Sequence, residues 1–529
     1  MEENKQNNSI KVIIAIAIVT VLAIGVVLVF RGGKSGAAKS VKVEALKGTP
    51  QEIINTAINN NNAKMTQEME ITNNESGYAE VINAMSKDSM KMDVGFGFNS
   101  IDGVDTLDPM VVELMEKIRV EYQVATSRKD EKFKFDLKLP IFDEEKASIV
   151  LYGDKENIGI ASPILLQDTY TIPTQGFIEK LEESTLYKEL GGPALTDEDK
   201  EMLNSFMEYM TYCFKVDPKE VFGEEFEKEI NELTKQLISD SNITEEAEYD
   251  GYKTYLAEID GEKVGTLMVD IIKLISEQEV YKKQIELLQK MDAGLTVDPN
   301  EIFEQMYTEV EESFKDVDVK VLYRVDDKFI RSMDIQLIEV STDSVINIDV
   351  QMGTDKYLTD KITAVMYEGS NKDERFELEW SNSLDTDKDV LAKNLLFKSV
   401  DIPGVDVQIA YEDSYDKTKT EDNFEMGLKL SNGEETSVNI DVAGDKNIAK
   451  NKYELNLKEV DMSVEEYGTE VGMQLNMFVG INEASKVDLK YKSEGEIKNL
   501  LDLTLGDIMK IGQEIQANGM ALLQKLYVF

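Results

Sequence analysis

The sequence predicts an α+β fold: a single N-terminal transmembrane helix, then large antiparallel curved sheets with an inserted helical block and a C-terminal helix. The first observation behind this prediction is the apolar run Val12–Phe30. The second is the alternation of apolar and polar residues at 132–139 and again after Val319, which is typical of strands with one buried face. The third is an apolar repeat of three to four residues between Thr174 and Lys315, which is typical of helices.

The run Val12–Phe30 is nineteen residues long, and a helix needs ~20 apolar residues to cross a bilayer. The alternative is a cleaved signal peptide with Ser35 and Ala37 as the small residues before the cut. Signal peptides have shorter apolar regions of roughly 7–15 residues, and here Arg31 and Lys34 separate the run from that site. An uncleaved membrane anchor is therefore favoured.

Charges on the two sides of the anchor bear on its orientation. Lys5 and Lys11 precede it, and five basic residues lie between Arg31 and Lys47. Taken literally, the positive-inside rule would place the large domain in the cytoplasm, but the rule weakens for long translocated domains. We therefore predict a single-pass cell-membrane protein whose large domain is extracytoplasmic.

The balance of basic and acidic residues changes after Lys47, just beyond the anchor. Through Lys47 there are seven basic and three acidic residues, and the rest of the chain carries the remaining 50 basic and 100 acidic side chains of 57 and 103 in all. Such an excess of acid disfavours nucleic acid as a partner, because nucleic-acid affinity comes largely from Lys and Arg on phosphate. It is typical of a well-solvated surface, with attraction of cations or basic envelope components as the alternative.

The chain contains no histidine, and Cys213 is its only cysteine. Ser-His and Cys-His triads, His-bearing zinc sites, thiolate clusters and internal disulfides are thereby excluded. Phosphate-binding loops of the GxxxxGK[ST] and GxGxxG types are absent. Carboxylates remain available for a hydrolase, but no pair stands out among so many.

One acidic motif begins like a calcium loop. Asp385, Asp387 and Asp389 have the spacing of its first three ligands, but Val390 replaces the required glycine and Leu396 the required glutamate. The motif therefore indicates a solvated loop. We predict no metal, no cofactor, no catalytic residue and no enzymatic activity.

The chain divides into five predicted segments. These are a short cytoplasmic tail at 1–11, the anchor at 12–30, a flexible basic linker at 31–48, an N-terminal α+β lobe at 49–316 and a β-rich C-terminal lobe at 317–529. Thr49 is a predicted N-cap before Pro50, opening a helix to about Lys64. Short strands are predicted from Met65 to Phe98, and a brief helix from Asp108 to Ile118.

The helical block at 174–315 interrupts the strands of the N-terminal lobe. Tyr249–Ile259 is a predicted strand within it, followed by the most apolar helix after the anchor. Apolar stripes of this kind usually pack into a core, but they could also cover a cavity of a few hundred Å³ as a lid over a curved sheet. The predicted ligand-lining residues are Phe222, Phe226, Leu267, Met268, Ile271, Ile272 and Met306.

Strands return at Val319 and continue almost to the end of the chain. Asn432–Gly433 between two alternating runs is a strong hairpin signal. From Thr504 onward the apolar spacing predicts an amphipathic helix. Alternation with one wet face favours antiparallel sheets over the parallel sheets of nucleotide-binding folds.

This order of elements resembles the unclosed barrel with a helical lid of lipoprotein carriers and mycobacterial-type lipoproteins. The alternating stretch 132–139 carries part of the resemblance, and YKTYLAEIDGEKV at 252–264 is similar to uncharacterised, N-terminally anchored envelope proteins of low-GC Gram-positive bacteria. The resemblance covers about 49–500 and carries over no functional residue. It implies a curved sheet able to hold a lipid-like ligand.

Two classes of function follow. The first is a membrane-anchored, extracytoplasmic binding or interaction protein of the cell envelope, holding an apolar ligand or contacting a cell-wall or envelope protein. The second is a carboxylate-dependent envelope hydrolase, and a purely structural surface protein is a third alternative. An apolar cavity would favour the first, and two carboxylates about 5–10 Å apart across a cleft would favour the second.

Overall fold

The computed structural model describes most of the chain after its first 42 residues. The described residues are 43–75, 87–103, 109–117, 119–138, 148–213, 224–290, 299–341, 344–354, 356–385, 387–416, 418, 421–431, 436–449, 452–466, 469–483 and 495–528.

Ten helices lie within these residues. They are α1 (Pro50–Glu75), α2 (Pro109–Lys117), α3 (Phe177–Glu183), α4 (Thr185–Glu189), α5 (Asp197–Cys213), α6 (Glu224–Ser239), α7 (Gly261–Ser276), α8 (Glu279–Lys290), α9 (Pro299–Lys315) and α10 (Leu505–Val528), with a 3-10 turn at Leu500–Asp502.

The described residues also contain twenty strands, and these form one sheet. Their bounds are β1 (Ser89–Asp102), β2 (Arg119–Ser127), β3 (Lys132–Lys138), β4 (Ser148–Gly153), β5 (Asn157–Ala161), β6 (Thr169–Pro173), β7 (Asn242–Tyr249), β8 (Tyr252–Ile259), β9 (Val317–Val325), β10 (Ile330–Glu339), β11 (Ser344–Gln351), β12 (Lys361–Glu368), β13 (Arg375–Asn382), β14 (Val390–Val400), β15 (Asp406–Asp416), β16 (Glu421–Ser431), β17 (Thr436–Ala449), β18 (Lys452–Glu466), β19 (Thr469–Glu483) and β20 (Ile497–Asn499).

Neighbours in the sheet are mostly neighbours in the sequence. Strands β7 to β19 follow one another as an antiparallel meander, and β1 to β6 form a second one. The two meanders join where β1 pairs antiparallel with β19. Among the described pairs, only β6 and β20 run parallel.

The predicted fold class is wrong as it stood, because the described chain is one large, mostly antiparallel sheet with helices. None of the described helices is both long and apolar enough to cross a membrane. The same finding corrects the predicted localisation as a single-pass cell-membrane protein with an extracytoplasmic domain. The proposed anchor Val12–Phe30, with the tail before it and most of the linker after it, lies outside the described residues.

Several local predictions agree with the structure. Thr49 caps α1 as predicted, since the Glu52 amide donates to Thr49 Oγ1. The Thr49 amide also donates to the Glu52 carboxylate, which makes the cap reciprocal. The C-terminal helix begins at Leu505, next to the predicted Thr504. Most of the predicted strand Tyr249–Ile259 is strand β8, which begins at Tyr252. Asp250 and Gly251 have positive φ and form the turn that joins it to β7.

The main hydrophobic core lies between one end of the sheet and four helices. Side chains from α1, α6, α7 and α9 pack there against strands β7 to β12, and Trp380 of β13 lies at its edge. Tyr255, Val264 and Val319 are almost completely buried in this core. The helical block therefore covers one end of the sheet.

Polar side chains fix α1 to the sheet. The Asn61 side chain donates to the Ile330 carbonyl and accepts from the Ile330 amide, at a break in the β9–β10 register. About two turns further on, the buried Glu68 carboxylate accepts from the amides of Leu358 and Thr359 and from the Thr359 hydroxyl. Glu68 lies beyond the predicted end of the helix at Lys64, so a tertiary contact extends α1 beyond the sequence-based boundary.

Candidate functional site

The six described residues among the seven predicted to line a ligand lie in different environments. Leu267 belongs to the main core, with Met268 and Ile271 packed against it, and Phe226 is also buried. Ile272 is half-buried, Met306 is 40% exposed, and Phe222 lies outside the described residues.

A cavity of about 70 Å³ lies between α1, α6 and the sheet. Its lining is mainly apolar, and the polar residues Asn61, Asn62, Asn231 and Thr234 also line it. None of the six described residues among the predicted seven lines it. The predicted ligand cavity required a few hundred Å³, so this space is too small for a lipid chain. Its apolar lining residues include Met65, Ile230, Leu237, Met333, Ile335 and Met352.

A larger apolar surface follows the sheet beyond the core. Residues paired across antiparallel strands point to the same side of the sheet. On β15 to β17, Tyr411, Met426 and Val442 form one such row. The open apolar face, as we name this surface, comprises Val407, Ile409, Tyr411, Phe424, Met426, Leu428, Leu430, Val438, Ile440 and Val442, and it continues through Leu455, Leu457 and Val460 of β18 to Leu475, Met477 and Val479 of β19.

The other side of the same strands is polar. Glu425 of β16 pairs with Glu412 and Ala443, and Lys429 pairs with Gln408 and Asn439. Because the two sides differ so clearly, the alternation fixes which side of each strand faces water.

The open apolar face lies outside the main core. Among the described residues, the core cluster and its partly buried neighbours include none from β14 to β19 or from β1 to β4. Large apolar side chains on this face remain substantially exposed, including Met426 at 40% and Leu430 at 39%. An extended exposed apolar surface of this kind is typical of binding sites. Phe96, Val464 and Val471 are further exposed examples on the same face.

Charged side chains interrupt the open apolar face at one end. Lys393 of β14 pairs with Asp413 of β15, and Asp422 of β16 pairs with Lys446 of β17, all in phase with the apolar residues. We call these four residues the charged cluster.

Gly444 lies beside the charged cluster. A Cβ there would come 2.7 Å from the Phe424 ring and 2.3 Å from the Asn456 carbonyl oxygen. Glycine therefore leaves room for the Phe424 ring and for the bulge in the β17–β18 register.

The charged cluster is buried and closely connected. Lys446 Nζ lies 2.7 Å from Asp413 Oδ2 and 3.9 Å from Asp422 Oδ1. The Tyr411 hydroxyl donates to Asp413 Oδ2 at 2.9 Å. The side chains of Lys446, Asp413 and Asp422 are 10%, 7% and 2% exposed. Lys446 also lies 5.5 Å from the centre of the Phe424 ring, within reach of a cation–π interaction.

Burial divides the two carboxyl groups into different protonation states. Burial, and then the neighbouring Asp413, raise the pKa of Asp422 to about 8. Burial also opposes ionisation of Asp413, but a hydrogen bond from Asp422, the charge of Lys446 and the Tyr411 hydroxyl together hold its pKa below the ordinary value. At neutral pH the pair therefore shares one proton, carried by Asp422.

Other groups around the charged cluster respond to the same burial. Burial lowers the pKa of Lys393 to about 8, partly opposed by Asp413. Burial followed by the nearby carboxylates raises the pKa of Tyr411, and in the same way raises that of Tyr453 to about 12. Both phenols therefore remain neutral donors in the physiological range.

The charged cluster has spare hydrogen-bond acceptors. Within the described part of the chain, Asp413 Oδ1 and both carboxylate oxygens of Asp422 have no hydrogen-bond donor while the two groups are ionised. A hydrogen bond between the Asp413 and Asp422 carboxyl groups forms only when one of the two groups carries a proton. Buried carboxylate oxygens usually have partners, so this site is unusual.

No metal site is apparent at this position. Among the described residues, no group of three or more acidic or cysteine side chains could hold a metal ion.

The sequence did contain a signal for the charged cluster, because Lys393 occupies an apolar position of the alternating pattern of β14, between Leu391 and Leu395. Its partners come from other strands, and their register was not available from the sequence.

Comparisons with known proteins assign no family. No protein family and no curated protein matches the chain. Among solved structures, a BenF-like porin from Pseudomonas fluorescens Pf-5 is 7% identical over 75% of this chain and 98% of its own, with a TM-score of 0.14. OccK3 (OpdO) from Pseudomonas aeruginosa is 8% identical over 77% of this chain and 98% of its own, with a TM-score of 0.12. At such TM-scores the likeness supports no conclusion about fold or function.

Proposed function

We propose that this protein binds an apolar, lipid-like molecule along the open apolar face. The observation that carries the proposal is the contrast between the two sides of β15 to β17, one apolar and partly exposed, the other polar. Covering large apolar side chains stabilises a complex by roughly 25 cal/mol for each Å² removed from water. A flexible chain lying along the strands would cover many of them at once.

The hydrolase alternative has less support. It requires two carboxylates about 5–10 Å apart and facing a cleft. Asp413 and Asp422 are instead buried neighbours close enough to share a proton. The charged cluster is therefore better suited to binding than to activating water.

The test compares two variants that add the same charge to opposite sides of β16. Met426→Glu places a carboxylate on the open apolar face, and Asn423→Glu places one on the exposed polar side of the same strand. The full-length chain and both variants are purified without added detergent. Solvent extracts are then examined for bound lipid by mass spectrometry.

We expect Met426→Glu to carry about fivefold less apolar ligand than wild type, equivalent to ~1 kcal/mol of lost affinity, because its charge must be desolvated beneath the ligand. Asn423→Glu should match wild type. Molecules held elsewhere on the chain contribute equally to all three samples. Equal ligand content in the three proteins, or none in any, would overturn the proposal.

A further inference from the structure

The open apolar face changes in character along its strands. On β16 the side chains run from Asp422 through Phe424, Met426 and Leu428 to Leu430, and the paired residues of β15 and β17 follow the same order from polar to apolar. Phe424 and Leu430 are six residues apart, a distance of ~20 Å at ~3.3 Å per residue. The surface is therefore amphipathic along its length, with the charged cluster at one end.

Exposure along β16 changes in the same direction. Asp422 is 1% exposed and Phe424 8%, whereas Met426 is 40% and Leu430 39% exposed. The polar end is thus closed and the apolar end is open. An amphiphile whose chain lies along the exposed strands would bring its head group to the charged cluster.

The hydrogen-bond inventory of the charged cluster determines the chemistry of that head group. Lys446 already contacts Asp413, Asp422 and the Tyr411 hydroxyl. The Tyr411 hydroxyl donates a hydrogen bond to Asp413. While both carboxyl groups are ionised, the remaining acceptors within the described residues are Asp413 Oδ1 and the two oxygens of Asp422. The shared proton joins one Asp422 oxygen to Asp413 and leaves the other Asp422 oxygen without a donor. An acceptor head group would leave these oxygens unsatisfied, whereas a donor would pair with them.

We propose that the charged cluster recognises the hydrogen-bond-donating head group, a hydroxyl or an ammonium, of an amphiphile whose chain lies on the open apolar face. This inference rests on the proposed function. It specifies which head group the bound amphiphile carries, and a fatty carboxylate would be disfavoured. Asp422 is the principal binding residue, because one of its buried oxygens lacks a donor even when the other shares a proton with Asp413.

The two head groups would differ in their response to pH. An ammonium requires an ionised Asp422, so its binding would release the shared proton, and its affinity would rise with pH up to about 8. Lys393 titrates in the same range and its loss of charge would act in the same direction. Tyr411, Asp413, Lys446 and Tyr453 also face the site, and the two phenols stay neutral there. A hydroxyl can pair with Asp422 in either protonation state, so its affinity would vary less.

The test uses three amphiphiles with the same chain: decanol, decylamine and decanoate. Each is titrated into the full-length protein, decanol below its solubility limit and the two charged compounds below their micellar concentrations. We expect decanol or decylamine to bind at least about tenfold more tightly than decanoate, as hydrogen bonds to a charged group would require. Proton release measured in buffers of different ionisation enthalpy identifies an ammonium. Equal or tighter binding of decanoate would overturn this inference.

Two variants locate the effect. Asp422→Leu should reduce the preference over decanoate about tenfold or more. Asp441→Leu, a matched change at an exposed position on the polar side of β17, should leave the preference unchanged. The wild-type comparison decides the question even if Asp422→Leu fails to fold. If no amphiphile binds, the proposed function fails; if all three bind equally, only the head-group inference fails.

Discussion

Lys393 and Asp422 show what can be read from single residues. Both occupy positions where alternation along their strands predicts an apolar side chain, so the sequence alone indicates two inward-facing charges. It does not show that Lys446 lies between Asp413 and Asp422, because that contact requires the register of three strands. The seven predicted ligand-lining residues were chosen for apolarity, which cannot distinguish a core stripe from a lid.

Stability should depend on pH through Asp422. The folded protein keeps this proton up to about pH 8, whereas an ordinary Asp loses it near ~3.9. The contribution of protonated Asp422 to the free energy of unfolding is therefore fully present below pH ~4. It is lost progressively as the pH rises towards 8. Asp422→Asn keeps a donor for Asp413 without a proton to lose, so we expect it to lose less stability between about pH 5 and 8.

Urea unfolding of wild type and Asp422→Asn across this range measures the difference. The difference in the free energy of unfolding between the two proteins cannot change by more than ~1.4 kcal/mol per pH unit, which is the value for one proton. Lys393, Tyr411, Asp413, Lys446 and Tyr453 face the site in both proteins, so their contributions are shared as far as the substitution leaves them unchanged. Parallel stability curves would show that Asp422 ionises normally.

At the scale of elements, α7 shows where local and tertiary signals meet. Asp260 caps the helix by accepting from the Glu262 amide, and the start of the helix follows from the sequence. The need for glycine at position 261 does not follow from the sequence. A Cβ there would lie 1.8 Å from the Val317 carbonyl oxygen and 2.3 Å from that of Phe314, where the helix start meets α9 and β9.

Gly261→Ala should therefore destabilise the protein by ~1–3 kcal/mol or more, because the backbone must move to admit the methyl group. Gly512→Ala in α10 is the matched control, since its Cβ would meet nothing within 4 Å in the described structure. That change should stabilise the helix by up to ~1 kcal/mol. Thermal unfolding of both variants checks the contrast, and a neutral Gly261→Ala would refute the close approach.

At the scale of the whole molecule, the least predictable feature is the joining of the two meanders. Strand β1 lies more than 350 residues before β19, yet the two pair along most of their length. Alternation identified many of the strands, but no local signal specifies so distant a partner. The division into lobes at 316/317 remains a prediction, and the β8–β9 and β1–β19 pairs both cross that boundary.

The binding surface also emerges only at this scale, because it combines residues from successive strands into one face. Direct labelling is the most decisive measurement of its role. The full-length protein is irradiated with an aliphatic diazirine carrying a hydroxyl head group, and the labelled peptides are located by mass spectrometry. We expect adducts at 407–411, 424–430 and 438–442 that decrease with excess decanol and in Met426→Glu. Labelling confined to the small cavity between α1 and α6, or spread equally over both sides of β16, would contradict binding on the open apolar face.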